Sequence, residues 1–74
     1  MIPIQQRWEK APRYYQVDIN QDLWGQWVLT KRWGRSGTAL GQTRRVACSS
    51  YAHALGLLAQ IQQRRLQRGY CAIH

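Results

Sequence analysis

The pattern of apolar residues over 51–68 predicts one long amphipathic helix, and this helix constrains how the rest of the chain can fold. Ser49 and Ser50 are favoured N-cap residues before it, and Gly69 suits the left-handed position after its end. At 100° per residue the apolar side chains fall on one broad side, which comprises Tyr51, Ala54, Leu55, Leu57, Leu58, Ala59, Ile61 and Leu66. Such a side must pack on a second layer, and in a 74-residue chain the preceding residues have to supply it.

Those preceding residues show the period-two alternation of strands. Residues 14–19 predict one half-buried strand, and residues 26–33 predict a second that returns after a turn over 20–25. A strand over 42–47 follows a glycine-containing loop over 34–41, and residues 4–10 suit a short edge strand. The sequence therefore predicts an α+β fold in one domain over residues 1–74: a twisted antiparallel sheet of about four to five strands with one long helix packed across it.

Charge is distributed unevenly along the chain. The formal net charge is +8, from 11 Lys and Arg against 3 acids, and Glu9, Asp18 and Asp22 all precede residue 23. From Leu23 onward the sequence has eight bases and no acid. A surface of one sign is typical of proteins that bind a polyanion, whereas solubility alone does not need such asymmetry.

The segment from Lys31 to Gly37 combines an aromatic side chain with positive charge. Trp27, Leu29, Lys31 and Trp33 share one face of their strand, and the buried part of that face should end at Lys31, because an unpaired ammonium is not buried. Trp33 should then lie beyond the core, with its ring partly in solvent. The candidate binding residues are Lys31, Arg32, Trp33, Gly34, Arg35, Arg44 and Arg45.

Several neighbouring residues keep more than one interpretation. Arg44 and Arg45 must point to opposite faces of their strand, so one of them faces the helix side. Arg64, Arg65 and Arg68 either complement the negative end of the helix dipole or contact a ligand. Trp27 is assigned to the core, while Trp8 and Trp24 are left unassigned.

Other functional classes are disfavoured. Two Cys and two His form a conceivable zinc set, but His53 lies on the solvent side of the helix, away from Cys48, and His74 is the last residue. Three scattered acids and two unpartnered His make no acid–base pair, so we expect neither an enzyme nor a cofactor. The N-terminus lacks the apolar region of a signal peptide, no stretch approaches a membrane span, and a reduced cytoplasmic protein is expected.

The ordered motifs resemble the WGR domain, a small module of poly(ADP-ribose) polymerases and of stand-alone bacterial proteins. The resemblance covers about residues 13–70 and centres on Trp33-Gly34-Arg35. It also includes Tyr14-Tyr15 before the tripeptide, Gly25-Gln26-Trp27, Gly37, Gly41-Gln42 with Arg44, and the helix ending at Arg65, Arg68 and Gly69-Tyr70. The first helical turn departs from the family, because Tyr51-Ala52-His53 stand where carboxylates are usual.

The resemblance implies a module that binds DNA ends or strand breaks, with Trp33 packing on a terminal sugar and 5′-phosphorylated ends among the expected ligands. In the polymerases the residue matching Arg35 helps to couple the module to a helical domain, and no such domain is expected within residues 1–74. For Arg35, phosphate contact and contact with a separately encoded protein both stay open. A second class of function, an adaptor that uses the same surface for an acidic protein, also stays open. RNA binding is a variant of the first class.

Overall fold

The computed structural model describes residues 2–38 and 41–73, which form five strands and one helix. In chain order these are β1 (Ile4–Lys10), β2 (Arg13–Gln21), β3 (Trp27–Arg35), β4 (Gly41–Cys48), α1 (Tyr51–Gln67) and β5 (Cys71–Ile73). The strands form one antiparallel sheet in the order β4-β3-β2-β1-β5, and the helix packs against one face of it. The predicted α+β architecture is confirmed.

The core lies between the helix and the sheet face that carries Val17, Ile19 and Leu29. These residues are opposite one another or two positions apart in the β2–β3 register, so their side chains project from the same face. Trp8, which the sequence left unassigned, is fully buried in this cluster, and Trp27 is buried as expected. Because the chain is short, these two indoles supply a large part of the buried apolar area.

Both helix ends follow the predicted capping. Ser50 is the N-cap, and its side-chain oxygen accepts a hydrogen bond from the His53 backbone N–H at 3.0 Å. At the other end Gly69 has φ +85°, its N–H donates to the Leu66 carbonyl, and the Tyr70 N–H donates to the Arg65 carbonyl. This pair of bonds is a Schellman motif, which turns the chain back so that Tyr70 lies beside the last helical turn.

The predicted apolar side of the helix was too broad. Tyr51, Leu57, Leu58 and Ile61 pack on the core, but Leu55 and Ala59 are exposed and Leu66 is 52% exposed. The part of the helix that contacts the sheet is a narrower stripe, formed by Ala54, Leu58, Ile61 and Arg65. In the last turn the half-buried Arg65 takes the sheet-facing position, and Leu66 points away.

Some predicted boundaries also change. Gly34 and Arg35, placed in a loop from the sequence, belong to β3, where Gly34 pairs with Tyr14 and with Gly41. Strand β2 extends to Gln21, which shortens the predicted turn. The expectation that residues 4–10 form an edge strand is wrong, because the short β5 pairs with β1 on the side away from β2. The remaining loop includes residues 39 and 40, which lie outside the described residues.

Substitution tests this division of the helix–sheet layers. Leu29→Ala removes a side chain that is 1% exposed and should lower the free energy of unfolding by about 2–5 kcal/mol. Leu66→Ala is the matched control and should have little effect, because Leu66 is half in solvent. Chemical denaturation measures both values; equal losses would contradict the placement of the core.

Candidate nucleic-acid interface

Trp33 lies where the apolar sheet face gives way to solvent. It shares that face with Leu29 and Lys31 but comes after both along β3, towards the strand end. Leu29 is buried, Lys31 and Trp33 are only partly buried, and Arg35 is exposed. The expectation of a partly solvent-accessible indole next to Lys31 is confirmed.

Tyr15 supports the indole of Trp33 from the neighbouring strand. The two residues are directly opposite in the β2–β3 register, and their rings stack with centroids 5.8 Å apart and planes at 15°. On the other side, Tyr15 meets Trp8 edge-on, with centroids 6.3 Å apart. Trp33 is therefore the outermost member of an aromatic series that begins in the core, which fixes the plane of its ring.

Arg65 joins the helix to this aromatic series. Its guanidinium carbon lies 4.3 Å from the centroid of the Tyr15 ring and 5.1 Å from that of Tyr70. Its Nε atom is buried and has no hydrogen-bond partner among the described residues. Arginine stays charged in proteins, so the two ring faces provide its stabilising contacts, and the guanidinium is held in a defined place.

Trp33, Tyr15 and Arg65 line a groove of about 740 Å³ between the end of the sheet and the last turns of the helix. Two further aromatic residues, Tyr14 and Tyr70, line the same groove. Its basic residues are Arg13, Lys31, Arg35, Arg64, Arg65 and Arg68. Among residues 2–38 and 41–73 no acidic residue lines it, so the groove combines aromatic surface with unopposed positive charge.

The acids have other positions. Glu9 accepts a hydrogen bond from Arg7 Nε at 2.9 Å, and Asp18 accepts one from Gln16 Nε2 at 3.3 Å. Both acids lie on the sheet face opposite the helix, as the register with Tyr14 and Thr30 shows. The third, Asp22, lies in the β2–β3 turn, so negative charge is segregated from the groove.

The structure brings together some of the predicted site residues and separates others. Lys31, Trp33, Arg35 and Arg44 lie on the helix side, and Arg44 pairs with Lys31 across β3 and β4. Arg32 and Arg45 project from the opposite face, away from Trp33. Gly34 lines the groove through its backbone and belongs by register to that opposite face as well.

Sequence reasoning did not select Arg13, Tyr15 and Tyr70 for the site, and left Arg64, Arg65 and Arg68 between two interpretations. For Arg65 the sequence did contain a signal, because positions 54, 58, 61 and 65 form one helical stripe. Gly69 contained the second signal, since a Schellman motif places the residue after it against the last turn. Tyr15 had been assigned to the core face, and it serves both the core and the groove.

Residues 2–38 and 41–73 contain no group of three or more His, Cys, Asp or Glu that could hold a metal ion. His74, part of the zinc set considered from the sequence, lies outside these residues. The one helix in this part of the chain is neither long nor apolar enough for a membrane crossing.

The fold and the groove together define a small α+β binding module. The WGR domain family model matches residues 3–73, and the chain therefore belongs to the WGR domain family. This is a family of nucleic-acid-binding modules that are not catalytic by themselves. Comparisons with curated proteins and with solved structures found no significant match.

The Tyr15 phenol provides a test of the Arg65 contact. Burial raises the pKa of Tyr15, while the positive charges of Arg65 and then Arg64 act against that rise. Arg65→Met keeps an unbranched side chain but removes the charge, so the pKa of Tyr15 should rise further. Arg68→Met is the control and should change it less. Tyrosinate absorbance or NMR during a pH titration measures the shift; a lowered pKa in the Arg65 variant would contradict the contact.

Proposed function

We propose that this chain binds DNA ends or strand breaks, with the exposed part of the Trp33 ring packing against a terminal nucleotide. The observation that carries the proposal is the position of Trp33, stacked on Tyr15 at the mouth of a groove without acids. A flat indole reaches a sugar or base only where neighbouring nucleotides no longer cover it, at a terminus, nick or gap. Base or sugar stacking of this kind contributes about 1–3 kcal/mol.

The basic residues supply affinity rather than placement. Lys31, Arg35, Arg44, Arg64 and Arg68 present cations on the helix side, where phosphates of a strand entering the groove would lie. Phosphates repeat identically along DNA, so these contacts do not distinguish an end from an interior site. The affinity that comes from the basic residues and the end preference that comes from Trp33 are therefore separable by mutation.

Arg65 has a more restricted role in this proposal. A free arginine side chain loses rotamer freedom when it grips a phosphate, but Arg65 is already held between two rings. Its guanidinium is in place before the nucleic acid arrives. This makes Arg65 the best candidate for contact with a terminal phosphate, including a 5′-phosphate.

Trp33→Ala tests the proposal through end preference. In dilute protein, the wild type should bind a short linear duplex more tightly than a closed circle of the same sequence. The variant should lose that preference, worth about 1–3 kcal/mol, and keep most of its salt-sensitive affinity. Trp24→Ala, which removes an indole that is 87% exposed and far from the groove along β3, is the matched control.

Two outcomes would refute the end-binding role of Trp33. One is equal affinity of the wild type for the linear and circular DNA. The other is uniform weakening on both DNAs together with a lowered melting temperature, which would assign Trp33 to stability alone. Including an acidic polypeptide as competitor separates DNA binding from an adaptor role, because an adaptor should prefer the polypeptide.

Arg44 and Arg45 give a second test, since both are exposed neighbours on β4 but project from opposite faces. Arg44→Ala should weaken DNA binding about tenfold, as expected for one charge-assisted contact, and Arg45→Ala should change it little. Mobility-shift titrations measure the affinities, and circular dichroism checks that both variants fold. Equal losses from the two folded variants would show that the helix side is not the binding side.

A further inference from the structure

A cleft of about 200 Å³ lies between the helix and the β3–β4 half of the sheet. Leu29 and Val46 line it from the sheet, and Leu57 and Ile61 line it from the helix. Leu29 is buried, whereas the other three side chains are only partly buried, so apolar surface stays accessible between the two layers. We call this space the helix–sheet cleft.

The direction in which the helix crosses the sheet explains why this cleft is open. The first turn of the helix lies over β3, where Tyr51 packs on Trp27 with ring centroids 4.7 Å apart. The last turns lie over β2, where Arg65 contacts the ring of Tyr15. The helix therefore moves away from the end strand β4 as it approaches its C-terminal end, and Val46 of that strand is left partly uncovered.

Positive charge adjoins this apolar space. Lys31, Arg64 and Arg65 line the helix–sheet cleft and also the groove that contains Trp33. Tyr15 is common to both spaces as well. The cleft is therefore continuous with the groove, and an anion bound by these three cations would lie directly beside it.

This combination limits the chemistry of a ligand for the cleft. The volume is below the about 300–1,000 Å³ of sites for drug-sized molecules, so it suits a single small ring system. The neighbouring cations require an anion close to that ring, and a nucleotide joins a flat ring to a phosphate in one unit. Gln60 lines the cleft and is exposed, and its side-chain amide can both donate to and accept from the edge of a base.

We propose that the helix–sheet cleft binds the base of an unpaired nucleotide, so that the DNA ends this chain prefers are those with an overhang. This inference rests on the proposed function and extends it to the class of end. A paired base is held by its partner and by stacked neighbours, whereas an unpaired base turns out of the stack at the lowest cost. Lys31 is two residues from Trp33 on the same face of β3, about 7 Å away at the usual rise per residue, so one strand can contact both the Trp33 ring and the cleft.

Four DNAs with the same duplex sequence test the inference: a closed circle, a blunt duplex, a duplex with a one-nucleotide overhang, and the same overhang with an abasic residue. The last two carry the same phosphates and differ only in the base. The wild type should bind the overhang with the base about tenfold more tightly than the abasic overhang, as expected for the stacking of one base. The overhang is placed at the 5′ and then at the 3′ end, and equal affinity for base and abasic DNA at both ends overturns the inference.

Val46→Phe tests the cleft itself, because the larger side chain fills it from the sheet, and aromatic residues suit strands. This variant should bind the overhang with the base no more tightly than the abasic one, and should still prefer the blunt duplex to the circle through Trp33. Ala47→Phe is the matched control, since Ala47 is the exposed next residue and projects from the opposite sheet face. A folded Val46→Phe protein that keeps the base preference, or equal loss of it in both variants, overturns the inference.

Methyl NMR of the wild type locates the base without relying on a variant that folds. A base has a ring current, so it should shift the methyl resonances of Val46, Leu57 and Ile61 when it lies in the helix–sheet cleft. These shifts should be large with the base-containing overhang and small with the abasic one. Methyl shifts that are the same with both DNAs overturn the inference.

The same measurements separate this inference from the proposed function. A preference for linear over circular DNA without any effect of the base leaves end binding in place and overturns the role of the cleft. A wild type that binds circular DNA as tightly as every linear form overturns both.

Discussion

The placement of Arg65 between Tyr15 and Tyr70 is the contact on which the functional end of the molecule depends. It joins three elements: the last turn of α1, the middle of the sheet and the segment after the Schellman turn. Tyr15 in turn fixes Trp33 by stacking. An arginine does this better than a leucine would, because it packs two aromatic faces and still brings a permanent positive charge to the groove.

The same contact explains which parts of the structure the sequence predicted. The strands, the helix, Ser50, Gly69 and the order of the sheet faces follow from periodicity and capping, which are local signals. The partial exposure of Trp33 followed from the simple argument that Lys31 cannot be buried unpaired. These predictions depend on the residue types themselves and on their spacing.

The features that could not be predicted from the sequence depend on packing between distant elements. Arg65 lies on the sheet-facing stripe of the helix. It was not predicted to pack on the sheet, because charged side chains are rarely buried. Leu66 was assigned to the apolar side of the helix from the helical pattern alone. That pattern does not show how wide a stripe of the helix the sheet can contact. The 87% exposure of Trp24 could not be predicted either. A turn held by hydrogen bonds to Asp22 is compatible with an indole that packs inward or outward.

The position of β4 at the end of the sheet gives its two arginines a further consequence. An end strand exposes unpaired backbone groups along one side, and such an edge invites strand addition by another chain. Arg44 and Arg45 occupy the middle of this strand and extend from opposite faces, so a second copy of this strand docked there would bring arginines close to arginines. Positive charge on an end strand is one of the features by which proteins hinder such strand addition. Replacing both by valine would remove this charge from the edge and make it more prone to pairing with other copies of the chain.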